Sequence, residues 1–245
     1  MSVYNPFSLE GKTILISGAS SGIGKATAIE CARLGAKLVI TARNEQRLSE
    51  TLHLLEGAGH QMILADLTKP EDVSRLVGEL PQIDGFVCNA GINKRRPIDF
   101  IKEEVMRDLF ETNLFACVLL TKAMMKAKKI NNNGSMVFIA SMAARQSSVG
   151  NAVYAASKAG IESFSRSCAV EYAHKGIRSN AVLPGMIETP LVTNGLLSEE
   201  DIEKDKAHYL LRRYGKPEEI AWAIIYLLSD ASAWTTSTSL VVSGE

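Results

Sequence analysis

The chain has 245 residues, 46% of them hydrophobic and 22% charged, which suits a soluble globular protein built on one α/β sheet. Twenty-seven basic residues balance 27 acidic ones, so no overall field selects nucleic acid or an anionic membrane. No apolar run reaches the roughly 18 residues of a membrane span, and residues 1–11 lack the basic-then-apolar pattern of a secretory leader. Cytoplasm is the expected compartment. Cys31, Cys88, Cys117 and Cys168 are far apart in apolar runs, so four buried free thiols are expected and no metal site.

Residues 12–17 form a short apolar run that breaks into Gly18-Ala19-Ser20-Ser21-Gly22-Ile23-Gly24. Helical periodicity follows to Leu34, with Gly35 placed to end it. A second apolar run covers 36–42, and an amphipathic helix is expected over 45–56 from the register of Leu48, Leu52 and Leu55. A third strand at 61–65 leads into Asp66-Leu67-Thr68. Pro70 then opens a helix with Val73, Leu76, Val77 and Leu80 on one face. Strand four, Ile83–Cys88, ends at Asn89-Ala90-Gly91.

The spacing predicts one long helix over 101–128, then a turn at 131–134 and strand five at 136–140, with Ser141 at its end. A helix carrying Tyr154 runs to about His174, and strand six, 177–183, stops at Pro184-Gly185. A helix at Pro217–Leu228 and a strand at Ser239–Val242 close the chain. Strands alternate with helices seven times and most are continuously apolar, which implies parallel pairing with helices on both faces. No repeat or linker divides the sequence, so 1–245 is expected to be one domain with a doubly wound sheet.

A glycine cluster between the first strand and a helix lets backbone approach a pyrophosphate, where the helix N-terminus offers free N–H groups. Here Gly18, Gly22 and Gly24 are spaced G-x-x-x-G-x-G, which favours a dinucleotide over a plain turn. At the end of the second strand, Thr41-Ala42-Arg43 offers no carboxylate for the ribose hydroxyls. Arg43 is suited to pair with a 2′-phosphate, so NADP(H) is expected over NAD(H). Tyr154 and Lys158, four apart, share one helix face. An ammonium beside a phenol lowers its pKa and makes the pair an acid–base device, although such pairs are usually only packed and solvated.

Together these segments resemble the short-chain dehydrogenase/reductase family over nearly the whole chain. The turn Gly18, Ser20, Ser21, Gly22, Ile23, Gly24 is similar to its cofactor loop, with Ser17 where a Thr usually leads. Asp66 and Leu67 resemble the pair that contacts adenine, and Asn89, Ala90 and Gly91 the motif bordering the cofactor. Pro184, Gly185, Ile187 and Thr189 resemble the segment gripping the nicotinamide end. Asn113, Ser141, Tyr154 and Lys158 match the catalytic tetrad in order and spacing. The resemblance implies a Rossmann-type fold and reduction of a carbonyl. Tyr154 would be the proton donor and Ser141 would hold the oxygen. Lys158 would lower the Tyr154 pKa and bind the nicotinamide ribose, and Asn113 would hold a water.

Within the family, segments 11–24 and 176–189 look most like 3-oxoacyl-acyl-carrier-protein reductases, which implies a 3-oxoacyl thioester as substrate. Segment 212–220 is shared with sugar and polyol dehydrogenases, which stay open as the alternative. A non-catalytic NADP(H)-binding sensor or scaffold is a third reading, disfavoured because the whole tetrad is present. Lys126, Lys128 and Lys129, with Arg166, are a candidate patch for an acidic acyl carrier protein, or simply a solvated helix end. Segment 185–213 is expected to cover the substrate, with Leu196, Leu197, Tyr209, Leu210 and Leu211 available to close over it. A homodimer or homotetramer is expected. Thr236-Ser237 and Ser243-Gly244-Glu245 depart from the family's Thr-Gly and Asp-Gly-Gly, which puts one of the two usual interfaces in doubt.

Overall fold

The computed structural model describes residues 4–189 and 199–245. Seven parallel strands form one sheet in the order β3-β2-β1-β4-β5-β6-β7. They are β1 (Thr13–Ser17), β2 (Lys37–Ala42), β3 (Gln61–Leu64), β4 (Ile83–Cys88), β5 (Ile130–Ile139), β6 (Arg178–Pro184) and β7 (Ser239–Val242). Strand order reverses between β1 and β4, so the loops leaving their carboxyl ends diverge and open a crevice there.

The helices are α1 (Gly22–Arg33), α2 (Glu45–His53), α3 (Pro70–Glu79), α4 (Glu103–Phe110), α5 (Ala116–Lys126), α6 (Ala152–Tyr172), α7 (Glu199–Lys206) and α8 (Pro217–Leu228). Neighbouring strand residues point to opposite faces, and each face has its own core. Leu15, Phe86 and Phe138 pack with Leu76, Leu120 and Ile161 of α3, α5 and α6. Ile14, Ile16, Val87 and Val137 pack with Ala28, Leu48 and Ile224 of α1, α2 and α8. Both faces of the central strands are therefore buried, which is why their sequences are apolar without alternation.

Three expectations change. The helix expected over 101–128 is broken: α4 and α5 flank a π-helical turn at Glu111–Phe115, preceded by a short 3-10 turn at Ile98–Phe100. Asn131–Gly134 is no loop ahead of the strand but an irregularity within β5, which begins at Ile130. Between the pairs Ile83↔Ile130 and Gly85↔Ser135 the β5 chain carries extra residues, and Asn131 Nδ2 fastens them to Asp84 Oδ1 at 2.7 Å. Finally, Cys88 and Cys117 are paired as a disulfide across β4 and α5, so only Cys31 and Cys168 are free, both buried.

Candidate active site

The catalytic candidates meet at the carboxyl edge of the sheet. Ser17 ends β1, and its buried hydroxyl donates to the Val87 carbonyl at 3.3 Å while accepting from the amides of Asn89 (3.0 Å) and Ala90 (3.2 Å). Asn89 Nδ2 returns to the carbonyls of Ser17 (3.2 Å) and Gly18 (3.3 Å). The glycine turn and the Asn89–Gly91 segment are thus one unit, and serine serves where the family usually has threonine because only the hydroxyl is used. Gly22 has φ +54°, and a Cβ there would lie 3.2 Å from Cγ2 of Thr189, so the segment after β6 closes against the glycine turn.

A Cβ on Gly91 would stand 3.2 Å from Asn113 Oδ1 and 3.3 Å from Lys158 Nζ, which places this glycine over the tetrad. Asn113 lies in the π-helical turn and is buried. Its Oδ1 accepts from the Ile92 amide at 2.8 Å. Its Nδ2 donates to the Ile92 carbonyl at 2.9 Å and to Ser157 Oγ at 3.1 Å. The side chain is thus committed to clamping the loop after β4.

Ser141 caps the short turn after β5, accepting from the Ala143 amide at 3.1 Å, and its hydroxyl lies near enough to the Tyr154 phenol to act on its protonation. Lys158 is buried one turn below Tyr154; its Nζ donates to the Ile139 carbonyl at 2.8 Å and lies 5.9 Å from the phenol ring centre. Burial raises the Tyr154 pKa above the usual phenol value, opposed by the Ser141 hydroxyl. The expected lowering by Lys158 is absent. Desolvation instead brings the Lys158 ammonium down to about 8, within reach of physiological proton exchange.

Sequence reasoning missed three supports. Ser157 Oγ accepts from Asn113 and donates to the Tyr154 carbonyl at 2.7 Å. The Ile139 carbonyl holds Lys158. Glu162 Oε1 accepts from Arg145 at 2.6 Å, Arg166 at 3.1 Å and Ser239 at 2.9 Å, joining the Ser141 loop, α6 and β7. Burial pushes the Glu162 carboxyl up, but its bonds to Arg145 and Ser239 outweigh this and hold it below the usual range. One signal was available: Tyr154, Lys158 and Glu162 are spaced by fours, a polar stripe on one face of a helix packed against the core.

The cofactor candidates are ordered along the same edge. Ser21 precedes α1 in extended backbone without a side-chain cap bond. Arg43 is exposed past the end of β2 and lines a shallow groove with Asn44, Glu45, Gln46, Ser49 and Met62. Asp66 Oδ1 accepts from the Thr68 amide (3.1 Å) and hydroxyl (2.8 Å), shaping the turn after β3, and Leu67 is buried. Gly185 donates its amide to the Val242 carbonyl at 3.0 Å, and Ile187 bridges to Gly215.

The basic patch does not hold together. Arg166 is paired with Glu162, and Lys129 donates to the Leu80 carbonyl. Lys126 and Lys128 remain exposed, at the amino end of β5 and so across the sheet from Ser141. Of the expected cover, Leu196 and Leu197 lie outside the described residues, while 199–206 is helix α7. Among the described residues no His, Cys, Asp and Glu group suits a metal ion, and no helix is long and apolar enough to cross a membrane.

A family model described as enoyl-(acyl carrier protein) reductase matches residues 18–244. The chain is 36% identical over 240 residues to a 3-oxoacyl-acyl-carrier-protein reductase of Vibrio cholerae, covering 96% of this chain and 97% of that one. A solved protein described as of the short chain dehydrogenase/reductase family is 35% identical with a TM-score of 0.87, each chain being 97% covered. This chain belongs to the short-chain dehydrogenase/reductase family. It is an oxidoreductase consistent with use of a nicotinamide cofactor. Another solved relative, described as an NAD(P)-dependent gluconate 5-dehydrogenase of Beutenbergia cavernae with NADP bound at low occupancy, is 31% identical with a TM-score of 0.88 and 98% of each chain covered.

Proposed function

We propose that this short-chain dehydrogenase/reductase reduces a ketone to a secondary alcohol with NADP(H), and that its substrate is a 3-oxoacyl thioester. The observation that carries the reading is the pair of neighbouring hydroxyls, Ser141 and Tyr154, one turn from a buried ammonium that lies 5.9 Å from the phenol ring centre. Two neighbouring hydroxyls suit a carbonyl oxygen that becomes an alkoxide. Ser141 holds that oxygen while Tyr154, kept protonated by its burial, gives it a proton. Lys158, its pKa near 8, stands ready to return a proton toward Tyr154, with Asn113 keeping the adjoining loop in register.

The residues fit the cofactor. Gly22 at φ +54° leaves the turn before α1 without side-chain bulk. Thr41-Ala42-Arg43 brings a guanidinium and no carboxylate to the end of β2, although Glu45 shares the groove. Gly18, Ser20, Ser21, Ile23 and Gly24 would hold the pyrophosphate, Arg43 the 2′-phosphate, Asp66 and Leu67 the adenine, and Ile187 and Thr189 the nicotinamide end. NADPH supplies the hydride when bound. A guanidinium–phosphate pair implies a preference of about 10- to 100-fold for NADPH over NADH, removed in Arg43→Ala. Steady-state kinetics with both cofactors test this, and equal use would refute it.

The thioester assignment leans on the 36% identity to the Vibrio cholerae reductase. A second reading, oxidation of a sugar acid or polyol, is favoured by the relative described as a gluconate 5-dehydrogenase. Turnover of acetoacetyl-coenzyme A set against keto-sugars, cyclic ketones and keto-sugar acids separates the two; inactivity on every thioester would remove the first. Docking of an acyl carrier protein would rest on Lys126 and Lys128 alone. Cofactor binding without turnover of any carbonyl would point to a sensor.

A further inference from the structure

The loop that follows Asn89–Gly91 reads Ile92-Asn93-Lys94-Arg95-Arg96-Pro97, three consecutive cations at the edge of the candidate site. It is sewn to the segment between Ser141 and Tyr154 by three contacts. The Arg96 amide donates to the Gly150 carbonyl at 2.9 Å, Asn93 Nδ2 to Asn151 Oδ1 at 3.2 Å, and Arg95 Nη2 to Ser148 Oγ at 3.2 Å. Gly150 and Asn151 immediately precede α6, so the basic loop is anchored within one turn of the helix that carries the phenol. Its other end is fixed where Ile92 is clamped by Asn113.

The three cations are not equivalent. Lys94 is neutralised by Asp108 at 2.5 Å. Arg95 and Arg96 have no carboxylate within ion-pair distance among the described residues, and their contacts go to a serine hydroxyl and to the Arg95 carbonyl at 2.8 Å. Each guanidinium has five donors, so most of their hydrogen-bonding capacity is uncommitted. In the same loop Asn93 Oδ1 accepts no hydrogen bond from the described residues. Two adjacent guanidiniums without carboxylate partners have the chemistry that receives an anion.

We propose that Arg95 and Arg96 form an anion subsite that binds a carboxylate or phosphate on the substrate and thereby selects anionic carbonyl compounds, a deepening that rests on the carbonyl-reductase reading. Sugar acids and acyl thioesters of a coenzyme or carrier both carry such a group. A keto acid presents its carboxylate, and a coenzyme or carrier thioester presents the phosphates of its arm. The class is therefore anionic ketones, and neutral ketones of the same shape are poor substrates.

Two sets of matched pairs test the subsite and separate its sources. The carboxylate set compares keto acids from 4-oxopentanoate to 6-oxoheptanoate with their methyl esters. The phosphate set compares acetoacetyl-coenzyme A with the acetoacetyl thioester of N-acetylcysteamine. Measured with NADPH, the anionic member of at least one set is expected to show a KM about tenfold lower, a gap that narrows with added salt. Arg95→Met/Arg96→Met is expected to close the gap by raising KM for the anion alone, and Arg95→Lys/Arg96→Lys to restore part of it. Equal KM values within both sets, or a loss in the Met variant that strikes neutral and anionic members alike while unfolding temperature is unchanged, overturns the subsite. Calorimetric binding of the same pairs to the NADPH-loaded protein keeps the two proposals apart. Discrimination in binding without turnover upholds the subsite and removes the reductase. Turnover of neutral ketones that depends on Tyr154 but ignores charge does the reverse.

Discussion

Tyr154 and Lys158 share one face of α6, and desolvation drives both toward their neutral forms: the phenol up, the ammonium down to about 8. A phenol kept protonated is the correct state for giving a proton to an alkoxide. Reduction should therefore persist through neutral pH, and the reverse oxidation should strengthen only as the phenol ionises under alkaline conditions. Tyr154→Phe removes the donor while keeping the ring; kcat is expected to fall about 10²- to 10⁴-fold with NADPH binding near wild type. Turnover close to wild type would exclude Tyr154 as the donor. Lys158 yields a second prediction, on stability. Its folded pKa lies below the usual 10.5 of an unfolded chain. Below pH 8 both states are protonated, and the folded state carries the full penalty of a buried charge. Between about pH 8 and 10.5 the folded state has lost the proton while the unfolded state keeps it, so stability rises with pH. Relative to Lys158→Met, the wild type should gain about 3 kcal/mol across that window, read from denaturant unfolding at a series of pH values. A flat difference would place Lys158 in contact with water.

Helix α6 and the broken helix beside it show how elements set those side chains. Asn113 interrupts what would otherwise run from α4 into α5, because three hydrogen bonds to Ile92 and Ser157 hold its side chain while the backbone widens to a π turn. Asn113→Ala leaves the Ile92 groups and Ser157 without these partners and should lower stability by about 2–3 kcal/mol, whereas exposed positions on α4 should change it by less than about 0.5 kcal/mol. Thermal unfolding of Asn113→Ala beside Arg107→Ala tests the difference. The interruption was not legible in the sequence, since 101–128 contains no glycine or proline and its apolar spacing continues through the turn. What breaks it is a contact 21 residues away in the chain. The same reason hid the Asn131–Gly134 irregularity, fixed by Asp84 on the next strand, and the Cys88–Cys117 pairing. By contrast β4, α8 and β7 begin and end at the residues the sequence indicates, because local signals such as Pro217 and Gly91 bound them. Ser141, Tyr154 and Lys158 were legible as a set. Their protonation was not, since desolvation depends on packing that spacing alone does not encode.

At the scale of the whole molecule, the two sheet faces are covered but the outer surface of the helices is not uniformly polar. Met106 and Val170 are exposed on α4 and α6, and Phe115 and Leu119 at the start of α5, all on the sheet face that carries the tetrad helix. On the opposite side Trp222 of α8 is 56% exposed and Trp234, beyond it, is fully exposed. A second copy meeting the first across the α4–α5–α6 face would bury the former group in an isologous contact. The consequence reaches the site, because Phe115 ends the same π turn that holds Asn113, and α6 carries Tyr154 and Lys158. Pairing there would brace both elements from outside. Phe115→Glu/Leu119→Glu should therefore convert a dimer to a monomer in light scattering and lower kcat together with thermal stability. Trp234→Ser should leave the dimer and its turnover intact, reducing at most a larger assembly to that dimer. If the mass instead halves only in Trp234→Ser, the contact lies at the β7 end, and the serines at 237 and 243 have not abolished that second interface.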